Sequence, residues 1–301
     1  IYTIYKLMAD AAKQVPEATV IANGDSPLFN SVALPNRRVY FGFDHEEDHE
    51  VTPHYNTDGI LCPECQHILR YHSNTYANLG KYYCPHCGFK RPDLNYRVTA
   101  LEELALTHSR FAIEGHEYAI PVAGLYNIYN ALAAYSVARE FGVSPEAIEA
   151  GFKQAERVFG RQEFFQVGDK KVLLNLVKNP VGLDQVLALI KLDPEPYNLV
   201  AILNNRYADG TDVSWIWDGH YEQMVDFPIQ EVYTAGMRVK DMTKRLEVAG
   251  LDSELIHELD SLEAVVAAIE ASTTPHIHIL ATYTAMLDLR KLLVAKGYLK
   301  Q

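Results

Sequence analysis

The chain has 301 residues, 48% of them hydrophobic, and a formal net charge of −12 from 27 Lys+Arg against 39 Asp+Glu. That length can bury two cores rather than one, and the acidic balance excludes a general nucleic-acid binder, whose phosphate contacts need a broad basic face. No stretch reaches the roughly 18 to 20 consecutive apolar residues of a membrane span, and no basic-then-apolar leader opens the chain, so it reads as a cytoplasmic protein.

In chain order, Ile1 to Ala12 is amphipathic at helical spacing, with neither an initiator Met nor a cap before it. It reads as entry into the middle of a domain. Ala18 to Ala22 is a β-type run closed by Asn23-Gly24-Asp25-Ser26-Pro27, whose Asn, Gly and Pro are turn formers. Arg38 to Phe43 is a second strand, and the acidic stretch Asp44 to Glu50 after it is a solvated loop. Residues 60–92 form a cysteine module. Strands near Tyr96 to Ala100, Ser109 to Ile113 and Tyr118 to Pro121 then resume the sheet. Leu125 to Phe141 repeats small and apolar residues at helical spacing and stops at Gly142; Pro145 to Gln154 is a second helix with Ser144 as its N-cap.

From about residue 165 strands and helices alternate: Lys171 to Val177, Leu183 to Ile190, Leu199 to Leu203, Trp217 to Val225, Glu231 to Ala235, Lys240 to Glu247, Leu262 to Ala271, Ile277 to Ala281 and Ala285 to Lys296. That pattern implies an α/β fold with a parallel sheet covered by helices. The domain boundary is expected between Phe159 and Gly168, giving domains of 1–164 and 165–301.

The cysteine module reads C-x2-C-x18-C-x2-C, with Cys62-Pro63-Glu64-Cys65 and Cys84-Pro85-His86-Cys87 as its two halves. Each CxxC bends two thiolates toward one point, and two such knuckles complete a tetrahedral shell for Zn²⁺. A redox pair or disulfides are the alternatives. A closed shell leaves no place for a reacting water, so the zinc is structural, stapling an insertion that has no core of its own. His67, His72 and His86 read as surface residues.

Four further segments carry a resemblance. Gly124-Leu125-Tyr126-Asn127-Ile128-Tyr129-Asn130-Ala131-Leu132-Ala133-Ala134 resembles the G-x-[HY]-N-x-x-N-A-x-A-A segment of the Mur ligase family, ATP-dependent amide-bond-forming enzymes of peptidoglycan synthesis. Asn23-Gly24-Asp25-Ser26-Pro27 is similar to its N-x-D-D-P loop, Gly160-Arg161-Gln162-Glu163 to its G-R-x-E motif, and Lys178-Asn179-Pro180 to its H-N-P segment. Taken singly, Asn127 could be a helix cap, Arg161 a surface ion pair, and Lys178 or Asn179 a turn residue. The amides of Asn127 and Asn130, three residues apart on one helical face, suit a purine edge, and Arg161 offers a planar fork for phosphate or carboxylate. The resemblance implies that Asn127, Asn130, Arg161 and Lys178 bind ATP, with Mg²⁺ wherever its phosphates are held. It also implies a central ATPase-type domain with the zinc ribbon inserted at 60–92, followed by a Rossmann-like C-terminal domain.

A ribbon inserted in the central domain, together with Asp209-Gly210-Thr211-Asp212-Val213-Ser214-Trp215-Ile216-Trp217-Asp218, is similar to one branch of that family, the ligase-like subunits that amidate lipid II. Membership implies that ATP activates the α-carboxyl of D-glutamate in the stem peptide and that ammonia, supplied by a GatD-type glutaminase in a heterodimer, converts it to D-isoglutamine. It implies too that Asp212 completes the glutaminase's catalytic triad in trans, the other reading of Asp212 being an N-cap. Asp209 reads as a turn residue and Asp218 as a surface one. The chain departs from the family in two ways: Tyr126 replaces the usual His, and no G-x-x-x-x-G-K-[ST] occurs, so the phosphate-binding loop and the Mg²⁺ ligands are expected upstream of Ile1. Alternatives are an amino-acid ligase of the Mur or folylpolyglutamate type, or a scaffold whose ribbon, with Arg70, Lys81, Lys90 and Arg91, binds protein or nucleic acid.

Overall fold

The computed structural model describes residues 2–45, 49–51, 59–155 and 162–299, which divide into two units, Ile1–Ala155 and Glu156–Gln301.

The first unit begins with α1 (Tyr2–Lys13), which buries Tyr5 and Ala9. Then come β1 (Val20–Asn23), the short α2 (Pro27–Asn30) and β2 (Arg38–Phe43). An insertion holding β3 (Arg70–Tyr76) and β4 (Leu79–Tyr83) separates β2 from β5 (Tyr96–Leu104), although β2 and β5 are neighbours in the sheet. The unit closes with β6 (Ser109–Ile113), β7 (His116–Ile120), α3 (Leu125–Glu140) and α4 (Pro145–Lys153). Its sheet has the order β1-β2-β5-β6-β7; β1, β2 and β5 run parallel, while β6 and β7 return as a meander. Ile128, Leu132 and Tyr135 of α3 pack on Phe41, Phe43, Val98 and Phe111. Ser144 caps α4 by accepting from the Ala147 amide at 3.3 Å, as its sequence position predicts.

The insertion differs from expectation in one respect. It has a small core of its own, in which Leu69, Tyr71 and Tyr82 are buried around Cys62 and Cys84. The acidic loop after β2 lies partly outside the described residues.

The second unit contains β8 (Glu163–Val167), β9 (Lys170–Leu176), α5 (Pro180–Ile190), β10 (Tyr197–Ile202), β11 (Ile229–Ala235), α6 (Val239–Val248), β12 (Ile256–Glu258), α7 (Leu262–Ala271), β13 (His276–Ala281) and α8 (Tyr283–Ala295). The sheet order is β12-β11-β10-β13-β9-β8, parallel except for the antiparallel edge strand β8. Strands β10 and β13 are buried along nearly their whole length on both faces, as in a sheet covered by helices.

Two edge strands, β8 and β12, were not expected from the pattern. The helix expected at Trp217 to Val225 is instead two short 3-10 turns, Ser214–Trp217 and Tyr221–Asp226. Gly219 lies between them, so close to Leu183 that a Cβ there would sit 2.4 Å from its Cδ2.

Candidate functional site

The four cysteines converge. Cys62 and Cys87 have sulfurs 3.5 Å apart, as do Cys65 and Cys84, all four lie within 4.8 Å of one another, and none is in a disulfide. Tetrahedral thiolates at about 2.3 Å from zinc stand about 3.8 Å from each other, so the spacing suits one ion. Each knuckle is built the same way: Gln66 N donates to Cys62 O at 2.9 Å and Gly88 N to Cys84 O at 3.1 Å. Both donors are left-handed, Gln66 with φ 63° and Gly88 with φ 78°; glycine reaches that geometry without strain and Gln66 does not. His67 and His86 are exposed and stack face to face at 3.8 Å beside Cys65.

Of the basic residues near the ribbon, Arg91 is committed: its guanidinium bonds Asp25 at 2.9 Å, Asp44 at 3.1 Å and Phe43 O at 2.7 Å. Arg70 pairs with Glu50 at 3.6 Å. Arg91 also borders a cleft of about 490 Å³ between the β3–β4 hairpin and the sheet, shared with His72, Lys81, Tyr83, Lys90 and Arg97.

Asp25 is the hidden centre of the first unit. It is fully buried and accepts from Arg91, from Phe43 N at 2.7 Å and from Tyr129 Oη at 2.7 Å. One carboxylate thereby ties the Asn23 to Pro27 turn, the end of β2, the insertion and α3 together. Burial pushes its pKa above the ordinary value, against the pull of Arg91, Tyr129 and the Phe43 amide.

Asn127 and Asn130 stand on the first turns of α3, after Gly124, whose φ of 90° is open to glycine alone at little cost. Asn127 Nδ2 donates to Ala123 O at 2.7 Å and its Oδ1 accepts from Asn130 at 3.5 Å, so the two amides form a pair on one half-exposed face. Asn130 is exposed and Asn127 is half-buried. Arg161 lies outside the described residues.

In the second unit the chemistry-bearing residues gather at the carboxyl ends of parallel strands, where open α/β sheets place their sites. Lys178 and Asn179 follow β9. Asn179 caps α5 by accepting from Gly182 N at 2.7 Å, with Pro180 at the first helical position. Lys178 donates to Ala208 O at 3.1 Å, so it touches the long connection after β10. That connection carries the acidic and tryptophan-rich signature. Asp212 is exposed on it, with Oδ1 accepting from Ser214 N at 2.8 Å. Hydrogen bonds from the Ser214 amide and hydroxyl hold its pKa below the ordinary value.

Asp209, by contrast, is buried and not merely a turn residue. It accepts from Thr284 N at 2.6 Å, Thr284 Oγ1 at 2.6 Å and Arg206 N at 3.0 Å. Asp218 is exposed, as expected. Arg245, which no motif or spacing singled out, is buried beneath the connection with Nε on Ile216 O at 2.9 Å and Nη2 on Gly219 O at 2.8 Å. Asp184 accepts from His220 N at 2.9 Å and pairs with its imidazole at 2.6 Å. Among these hidden contacts, only that of Asp209 had a sequence signal, its place in the motif.

A family model described as MurT ligase C-terminal matches residues 176–286. Over 301 residues the chain is 52% identical to the lipid II isoglutaminyl synthase (glutamine-hydrolyzing) subunit MurT of Streptococcus pneumoniae, covering all of this chain and 67% of that protein. It is 30% identical over 253 residues to the same subunit of Staphylococcus aureus, covering 83% of this chain and 57% of that one. Among solved structures, a pseudomurein peptide ligase type C from Methanothermus fervidus aligns with TM-score 0.64 at 18% identity, over 93% of this chain and 56% of that one. MurF from Acinetobacter baumannii aligns with TM-score 0.58 at 17% identity, over 93% and 52%. These two share the Mur ligase-like α/β fold.

Proposed function

The chain belongs to the MurT family of Mur ligase-like subunits, and from that membership we propose that it is the ligase side of a lipid II isoglutaminyl synthase. In this reading the α-carboxyl of D-glutamate in the lipid II stem peptide is activated with ATP and amidated to D-isoglutamine, with ammonia from a GatD-type glutaminase. The observation that carries it is the 52% identity sustained along the whole chain.

The local chemistry agrees. All four cysteines of this sequence lie in the ribbon cluster, in keeping with a glutaminase nucleophile supplied by the partner. Asp212 stands in solvent, with its pKa held below the ordinary carboxylate value by hydrogen bonds from Ser214. There it can accept a hydrogen bond from a partner's imidazole, hold the ring in the tautomer that takes the nucleophile's proton, and stabilise the imidazolium that results. Asn127, Asn130, Arg161 and Lys178 are assigned to the nucleotide. ATP, with Mg²⁺ on its phosphates, supplies the phosphoryl group that makes the carboxyl reactive. Cys62, Cys65, Cys84 and Cys87 hold Zn²⁺ in a closed structural shell. No helix among the described residues is long and apolar enough to cross a membrane; the chain acts from the cytoplasm on a substrate held at the inner face of the membrane.

The test is product analysis. The protein purified with its glutaminase, given lipid II, glutamine and ATP, should convert the stem-peptide carboxyl to an amide by mass spectrometry, and omission of ATP should stop it. Incorporation of an amino acid instead of nitrogen alone would assign the chain to the amino-acid ligases.

A further inference from the structure

Between Ile202 at the end of β10 and Ile229 at the start of β11 the chain has no strand, only two short 3-10 turns. Its inner residues Ile216, Tyr221 and Met224 are nevertheless completely buried. Two buried charges of opposite sign, Asp209 on the connection and Arg245 on α6, hold its two halves.

The front half is held by Asp209. Its carboxylate takes two hydrogen bonds from Thr284, at the start of α8, and one from Arg206 N. Thr284 Oγ1 itself accepts from Asn204 Nδ2 at 3.1 Å, which orients the hydroxyl that donates to Asp209. Gly210, at φ 92°, reverses the chain immediately afterwards, and Asp212 emerges into solvent two residues further on. The back half is held by Arg245, which is 2% exposed. It reaches up from α6, spends Nε and Nη2 on the Ile216 and Gly219 carbonyls, and pairs with Glu222 at 2.7 Å. Its guanidinium also lies against the rings of Trp217 at 5.5 Å and Tyr221 at 5.0 Å. Trp217 is half exposed, resting on the cation with ring surface left for solvent.

Buried ions are often matched or bettered in stability by apolar residues of similar size. A buried arginine bonding two loop carbonyls is therefore better suited to specifying one loop shape than to adding stability. We propose that Asp209 and Arg245 are positioning residues acting separately: Asp209 sets where Asp212 stands for the partner's active site, and Arg245 sets the Trp217 surface on which the partner docks. This rests on the reading of Asp212 as the partner's carboxylate, but one of its readouts does not.

That readout is tryptophan emission. Trp215 and Trp217 are the only two among these 301 residues, so fluorescence of this chain on its own reports this connection alone. Arg245→Gln should shift emission to longer wavelength and increase acrylamide quenching, raise the Kd for the glutaminase about tenfold as loss of an interface anchor does, and keep the kcat of the saturated complex. Asp209→Asn should keep Kd and lower the kcat of glutamine hydrolysis by about tenfold or more, the effect of losing charge-assisted bonds that place a reacting group. Should either variant fail to fold, Arg245→Lys and Thr284→Val apply the same test more gently. Folded variants with unchanged emission, Kd and kcat overturn the proposal, and so does a parallel change of Kd and kcat in both. If Asp212→Asn leaves glutamine hydrolysis intact, the Asp209 half falls with the triad reading, while a red shift and weaker docking in Arg245→Gln uphold the other half.

Discussion

Asp25 shows what a single side chain does that its local sequence does not announce. In Asn23-Gly24-Asp25-Ser26-Pro27 it stands among turn formers, yet it is fully buried and bonded to Arg91, 66 residues away. Nothing in a periodicity connects those two positions; only the folded insertion between them brings them together. Replacing Asp25 with Ala would strand the Arg91 cation, 8% accessible, without its innermost partner. The expected loss is about 3–5 kcal/mol, read from urea unfolding of the protein, and a loss under about 1 kcal/mol would mean that Asp44 and water compensate. Asp25 also makes a pH statement. Its folded pKa is raised by burial, so the folded state takes up a proton more readily than the unfolded one, and this residue's contribution falls as pH rises from the ordinary 3.8 through the folded value.

At the level of elements, the sequence was most legible where burial and period agree. Arg38–Phe43, Ser109–Ile113 and Leu262–Ala271 fall where the pattern puts them, because an apolar run or a helical stripe has one low-energy way to bury itself. The edge strands β8 and β12 escaped because an edge is half solvated and its alternation mixes with loop composition. The tryptophan segment was misread as a helix because its apolar spacing is satisfied around Gly219 and Arg245, by tertiary contact and not by a helix face. The ribbon was legible from cysteine spacing alone, although its small tyrosine core was not. Chelation of the purified protein should release metal, free four reactive thiols to a sulfhydryl reagent and lose the β3–β4 hairpin by hydrogen exchange. Protected thiols and an intact hairpin without metal would contradict a zinc staple.

A second prediction concerns the start of β13. Burial alone would raise the Asp193 carboxyl, but hydrogen bonds from His278 and His276 outweigh it and bring the pKa below the ordinary value. Burial lowers His278, with Asp193 pulling the other way. Both shifts leave the folded state with fewer protons than the unfolded chain. Stability of the second unit should therefore fall with acid, first as pH drops below about 6.5 and again below about 3.8. The thermal midpoint should decline from about pH 7.5 to pH 5, and His278→Gln should flatten that slope; an equal slope in the variant would place the acid sensitivity elsewhere.

For the molecule as a whole, short motifs pointed to the family before any contact was known, since their residues are chosen by chemistry and not by burial. The supports beneath them were out of reach, because Asp209 with Thr284 and Arg245 with Ile216 are tertiary pairs separated by many residues. Lys178 shows the same limit: assigned to a nucleotide by its motif, it donates to Ala208 O and so belongs also to the connection that displays Asp212. The account stands or falls on that exposed acid. The decisive measurement is the rate of glutamine hydrolysis by the glutaminase in complex with wild-type and Asp212→Asn protein, with the complex verified by size-exclusion chromatography. An intact heterodimer whose hydrolysis falls by about 10³–10⁴-fold, the scale set by losing a triad carboxylate, is the predicted result; a heterodimer hydrolysing glutamine at the wild-type rate would contradict it.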